Sequence, residues 1–338
     1  MFFSHKGGMD TLIEAVKSGA VDIVDQLIIA NANIEIRDEE DRTPLMLAAE
    51  EGHAGCVRIL IDAKADMNVK TGFGKTALIS AIQRGHTTCA QILVEANANI
   101  EAAMNDRTPP LMFAVENGHV ACLQLLLNAK ANVEATDITG RTAMITAALK
   151  GQAVCAQLLI DAKAKIDSTD TLTGRSALIS AAEKRQPECV RVLLNAQANT
   201  EVGDRWYGRT AVSWAITDSD PSGLRLILDA KANTEAKDTS KYTALMWAAI
   251  QGASTSAQIL IDHNADVNAK DGRNKSALML AVDCDNAPCA EVLLNGKADI
   301  DARDKRGRTA LMWAAERDSV ESIHLLLVRY LEMVMHRS

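Results

Sequence analysis

Apolar residues in this chain come in two short blocks per cycle, and the cycle is 33 residues long. The first block opens at Leu45, Leu78, Leu111, Met144, Leu178, Val212, Leu245, Leu278 and Leu311, with steps of 33 residues and two of 34. A second series runs in phase at Cys56, Cys89, Cys122, Cys155 and Cys189. A fixed period of this size marks a stack of small units, each burying its apolar faces against its neighbours.

The residues from Asp41 to Gly74 show what one unit contains. Thr43 is a good N-cap, and Pro44 sits in the first turn, where its missing N–H costs nothing. Leu45 to Ala49 then read as a helix that closes at Gly52, a residue suited to the left-handed C-terminal position. Cys56, Val57, Ile59, Leu60 and Ile61 are apolar at helical spacing and predict a second helix. Gly72-Phe73-Gly74 signals a turn. The unit is therefore helix, turn, antiparallel helix and a projecting hairpin-like loop. The expected fold is all-α, an α-solenoid. It forms a single array over residues 10–338 after a tail of residues 1–9. Units fall near 10–40, 41–73, 74–106, 107–139, 140–173, 174–207, 208–240, 241–273, 274–306 and 307–338, the last with a C-terminal capping helix.

These residues resemble the ankyrin repeat, whose signature is a Thr-Pro-Leu-His-x-Ala helix start at this period. The helix start recurs as Thr43-Pro44-Leu45, Thr76-Ala77-Leu78, Thr142-Ala143-Met144, Ser176-Ala177-Leu178, Thr243-Ala244-Leu245 and Thr309-Ala310-Leu311. Gly-His pairs follow at Gly52-His53, Gly85-His86 and Gly118-His119. The resemblance spans about residues 10 to 330, and it implies a protein partner bound along the concave face and the loop tips. One departure is systematic. The signature histidine is replaced by Met46, Ile79, Met112, Ile145, Ile179, Ser213, Met246, Met279 and Met312, which removes the imidazole ties expected there. Thr108-Pro109-Pro110-Leu111 puts proline in the cap position and predicts a local distortion.

The totals add constraints. A net charge of −8 argues against a general affinity for nucleic acid or anionic membrane. No apolar run is long enough to span a bilayer, and the start lacks a signal-peptide pattern. Seven cysteines, an odd number, suit a reducing compartment, with the cytoplasm as the default and the nucleus as the alternative. His-x-x-Cys pairs at His53/Cys56, His86/Cys89 and His119/Cys122 lie in separate layers roughly 8–10 Å apart, too far for shared ligation. Those cysteines read as small buried hydrophobes, whereas Cys284 falls in an exposed turn. Thr71-Gly72-Phe73-Gly74-Lys75-Thr76 fails as a phosphate loop, because Val69 stands where the first glycine belongs. No catalytic, cofactor or metal site is expected, so the chain reads as a non-catalytic protein-interaction scaffold.

Candidate partner-binding residues are the large aromatics. Trp206 and Tyr207 occupy a polar loop tip in one of the longer intervals and are expected to be exposed. Phe113, Trp214, Trp247 and Trp313 share one first-helix position, with packing and recognition equally open. Arg209 and Tyr242 precede helix caps beside them. Arg209 also belongs to a basic series, Arg42, Lys75, Arg141, Arg175, Arg209, Lys275 and Arg308, expected to be offset by nearby aspartates. After Ile323 the chain is apolar on nearly every side. That predicts either a long cap or a patch at residues 324–335 for self-association or for docking as a subunit of a larger assembly.

Overall fold

The computed structural model describes residues 7–335; the first six residues of the expected tail and the last three of the chain lie outside the described residues. The chain divides into two compact units, Met1–Lys165 and Ile166–Ser338. In the first, helices pair as α1 (Gly7–Lys17) with α2 (Val21–Ile29), α3 (Pro44–Glu51) with α4 (Ala54–Asp62), α5 (Ala77–Arg84) with α6 (Thr87–Glu95), α7 (Pro110–Glu116) with α8 (Val120–Asn128), and α9 (Ala143–Lys150) with α10 (Ala153–Asp161). In the second they pair as α11 (Ala177–Glu183) with α12 (Pro187–Asn195), α13 (Ala211–Trp214) with α14 (Ser222–Asp229), α15 (Ala244–Gln251) with α16 (Ser254–Asp262), α17 (Ala277–Asp283) with α18 (Ala287–Asn295), and α19 (Ala310–Glu316) with α20 (Val320–Met335). Among the described residues there is no regular strand, only isolated bridges such as Thr136 with Thr142 and Lys270 with Ser276. The architecture is an all-helical solenoid.

Local chemistry explains each pair. The hydroxyls of Thr43, Thr76, Thr142, Ser176, Thr243 and Ser276 accept from the N–H three residues on, capping the first helices. Gly52 ends α3 at φ 80°, where a side chain would be strained and would also meet the His86 ring at 2.6 Å. Second helices follow the caps His53, His86, His119 and Asn286, and the side chains of His53, His119 and Asn286 tie neighbouring repeats. His53 Nε2 hydrogen-bonds the Lys17 carbonyl at 3.0 Å, and Asn286 Nδ2 donates to the Ala249 and Ile250 carbonyls at 2.8 and 3.0 Å. Imidazole thus ties neighbours from the start of the second helix, at His53 and His119. Leu45, Leu78, Leu93, Leu126, Leu245 and Leu260 lie in the core with Cys56, Cys89, Cys122 and Cys289. Burial pushes the Cys289 thiol up to about 12.

The projecting loops are built on buried carboxylates. Asp238 Oδ1 accepts from the Ser240 and Tyr242 N–H groups at 2.8 and 2.9 Å, and Asp304 Oδ1 accepts from Arg306 and Arg308 in the same way. Successive loops are then joined tip to tip. Asn105 N–H donates to the Phe73 carbonyl, Arg205 to Thr173, Thr239 to Tyr207 and Lys305 to Arg273. A second set of ties uses side chains. Glu35, Glu101 and Glu235 each accept an N–H from the residue 31 positions on, at Asp66, Asn132 and Asp266.

Two places depart from the regular unit. The distortion expected at Pro109 is absent, because its φ of −79° and ψ of 162° match Thr43 at −80° and 161°. Proline's fixed φ suits the extended cap conformation, so only the cap hydrogen bond is missing. The larger irregularity is α13, which is four residues long. Pro221 disfavours helical geometry at Asp220, and Asp218-Ser219-Asp220 leads into α14. Ser256 completes the exposed backbone from the following repeat. Its buried hydroxyl donates to the Thr217 carbonyl at 2.7 Å and accepts from the Thr217 N–H at 3.1 Å.

Candidate functional site

Trp206 and Tyr207 stand at a loop tip with 63% and 53% of their surfaces exposed. Exposure here does not mean looseness. Asp204 anchors the loop through the Tyr207 N–H at 2.7 Å, and Trp206 Nε1 donates to the Leu172 carbonyl at 3.0 Å. The tip carries the residue added in the 34-residue interval: six residues separate Asp204 from Thr210, where five separate Asp238 from Thr243. Within the first unit, Phe73 and Ile138 are exposed loop-tip residues at 79% and 68%, and in the second Leu172 is at 55%. Sequence reading missed these three. Each is a lone apolar residue in a polar turn, and only its register against other tips picks it out.

Behind the Trp206 tip, aromatic rings and guanidinium groups interleave. Arg175 stacks on Trp214 at 4.1 Å from the ring centre, and Arg209 stacks on Trp247 at 3.4 Å with Tyr207 at 5.0 Å. Tyr242 meets Trp247 edge to face at 5.4 Å. The indole N–H groups are held as well, Trp214 on Asp204 at 3.1 Å and Trp247 on Asp238 at 2.9 Å. Burial draws the Arg209 guanidinium below its ordinary range, against the pull of Asp238 and Asp204. Trp214, Trp247, Tyr207, Arg209 and Tyr242 thus form one contiguous surface with Trp206. Phe113 is not part of it. It lies in the first unit and is 8% exposed, so it packs. Trp313, 7% exposed, is a separate feature near the other end of the second unit.

Most of the basic series is paired, by loop aspartates at Arg42 and Arg308 and by carboxylates of the following helix at Arg175 and Lys275. A carboxylate eight residues downstream pairs with Arg42 (Glu50), Arg175 (Glu183), Lys275 (Asp283) and Arg308 (Glu316) at 2.6 to 3.3 Å. Thr217 and Leu149 occupy that place after Arg209 and Arg141, so the pairing is missing there. Six cysteines are buried and Cys284 is exposed. Burial, joined by the charge of Asp283, raises the Cys284 thiol rather than activating it. Among the described residues no group of three or more His, Cys, Asp and Glu side chains could hold a metal ion. No described helix is long and apolar enough to cross a membrane. The 16-residue α20 leaves Leu327, Tyr330, Leu331 and Val334 exposed at 46 to 61%.

The comparisons with known proteins agree with this geometry. The family model described as ankyrin repeats (3 copies) matches residues 12–104, 111–204, 155–238, 195–271 and 245–333. Among solved structures, the human ASB11 ankyrin repeat domain superposes with a TM-score of 0.59 at 23% identity, covering 65% of this chain and 96% of that one. At that identity the likeness speaks to the fold. No curated protein matches the sequence. With its repeats matched along nearly the whole chain, the protein belongs to the ankyrin repeat family.

Proposed function

We propose that the chain is a non-catalytic module that binds a protein partner along its first helices and loop tips, with Trp206 and Tyr207 as the central anchors. Ankyrin repeats are generally protein–protein interaction modules, so the class of ligand follows from the family. What carries the choice of surface is the adjacent aromatic pair, more than half exposed yet held by hydrogen bonds on a fixed loop. Large aromatics dominate protein interfaces, and a pre-ordered anchor loses little entropy on docking. Trp214, Trp247, Arg209 and Tyr242 supply the surrounding surface. A reducing compartment, cytoplasm or nucleus, suits the unpaired thiols.

A second reading, a subunit docked through its last helix, is favoured by one observation. Leu311 and Met312 of α19 are 37% and 51% exposed, whereas Leu45 and Met46 at the same positions of α3 are each 1% exposed. That face and α20 together form an apolar surface open to a second protein.

One experiment separates the readings. Partners captured by the full chain are compared with those captured by Trp206→Ala/Tyr207→Ala and by Leu331→Lys, with thermal melts of all three. Loss of about 2 kcal/mol or more of affinity in the aromatic variant, with an unchanged melt, supports the first reading. Unchanged affinity with a lower melting temperature assigns the pair to packing. Loss confined to Leu331→Lys moves the site to α20.

A further inference from the structure

The last two repeats hold a pocket of about 570 Å³ with a strongly basic lining. Six cations line it: Arg273, Lys275, Lys305, Arg306, Arg308 and Arg317. Only two lining residues are acidic, Asp304 and Glu316, and both already bind Arg308. Lys275 and Arg317 share Asp283 at 2.8 and 2.7 Å. Among the described residues no carboxylate lies within ion-pairing distance of Arg273, Lys305 or Arg306. An uncompensated positive field therefore faces the opening.

A second observation comes from the pocket floor. Trp313 lies beneath Lys275 Nζ and Arg308 Cζ, each 3.6 Å from its ring centre. Its indole nitrogen is buried without a hydrogen-bond partner. In the sibling repeats that N–H is satisfied, Trp214 by Asp204 and Trp247 by Asp238. The equivalent carboxylate oxygen here, Asp304 Oδ2, accepts from Arg308 Nε at 3.0 Å and not from the indole. The floor thus offers a donor where the other repeats have completed the bond themselves, and buried donors are rarely left unmet.

Loop register indicates what kind of anion belongs there. Arg273 and Arg306 stand two residues after their loop aspartates, the position that Trp206 holds after Asp204. Arg273 stands on one loop and Lys305 and Arg306 on the next, joined by the Lys305 N–H to the Arg273 carbonyl, so the three unpaired cations are spread over two repeats. Spaced negative charges complement that pattern better than one dense phosphoryl group does.

We propose that this pocket receives the side-chain carboxylates of an acidic segment of a protein partner, one of them accepting the Trp313 indole N–H. The inference rests on the reading that the chain binds proteins, but its test does not use the Trp206 surface. The full-length chain is titrated with a fluorescein-labelled hexaglutamate peptide at low salt, following peptide anisotropy and tryptophan emission, with inorganic phosphate as competitor. Hexaglutamate should bind, weaken about tenfold in Arg273→Glu/Arg306→Glu, and weaken with added salt. Trp313→Phe, which keeps the ring but not the N–H, should weaken it several-fold without a change in melting temperature. Trp206→Ala/Tyr207→Ala should bind hexaglutamate as the wild type does, so failure of the aromatic anchor and failure of this pocket are told apart. Absence of binding, equal binding by the charge-reversed variant, or displacement by equimolar phosphate would each overturn the proposal.

Discussion

Glu50 is the residue whose surroundings are most decisive. It is 7% exposed at the end of α3 and meets Arg42 at 3.3 Å, Arg84 at 3.0 Å and Lys75 at 3.6 Å. Two of these cations come from the following repeat, so the carboxylate ties neighbours together. Burial alone would raise its pKa, but the hydrogen bond from Arg84 and the charges of Lys75 and Arg42 hold it below the ordinary range. A depressed folded-state value means its contribution is complete above the unfolded pKa, about 4.3, and is lost as pH falls through the lower folded value. Glu50→Gln should lower stability at pH 7 by about 1–2 kcal/mol, since Arg84 is solvent-screened and a charged hydrogen bond is the main loss. Urea unfolding across pH should show wild type and variant converging below about pH 4. A gap that stays constant with pH would assign the effect to shape. Sequence order could not have revealed this cluster, because the partners come from two units and Glu50 alone looks like an ordinary surface residue.

Helices were the legible level. Caps at Thr43, Thr76 and Ser276, left-handed glycines and in-phase apolar blocks all follow from local rules, and the structure obeys them. Pro109 fits where the sequence predicts distortion, because the cap position requires an extended backbone, which proline provides. Ser256 shows the opposite limit. It occupies the position of Cys122 and Cys289, and in the chain it reads as a neutral swap of sulfur for oxygen. Only the short α13 beside it explains the hydroxyl, which serves both backbone groups of Thr217. Ser256→Cys should therefore destabilise the protein by about 1–3 kcal/mol, because a thiol is a poor substitute in two short hydrogen bonds. Cysteine is the residue its sibling repeats use, so a consensus argument anticipates the reverse. A thermal melt decides between them.

At the scale of the molecule, stability is a sum over repeats and their nearest neighbours. Leu178 is 1% exposed in the first turn of α11, and Leu178→Ala should remove about 2–5 kcal/mol. Coupling that runs only between neighbours should also broaden or split the unfolding transition, visible in calorimetry. A single sharp step would count against such additivity. The repeat period made the architecture readable at this scale, whereas the proposed recognition surface was readable only in part. Trp206 and Tyr207 announced themselves as adjacent aromatics in a polar turn. Phe73, Ile138 and Leu172 did not, nor did the unpaired indole of Trp313, since each depends on what a neighbouring loop brings. The tip-to-tip backbone bonds have one more outcome. The main-chain bonds join Phe73 to Asn105, Thr173 to Arg205, Tyr207 to Thr239 and Arg273 to Lys305, so these links do not depend on which side chain stands there. The extra residue before Gly208 shows that even length can vary at that point. Under the proposed function, a change of target would fall on these outermost letters first, while the helices beneath keep their spelling.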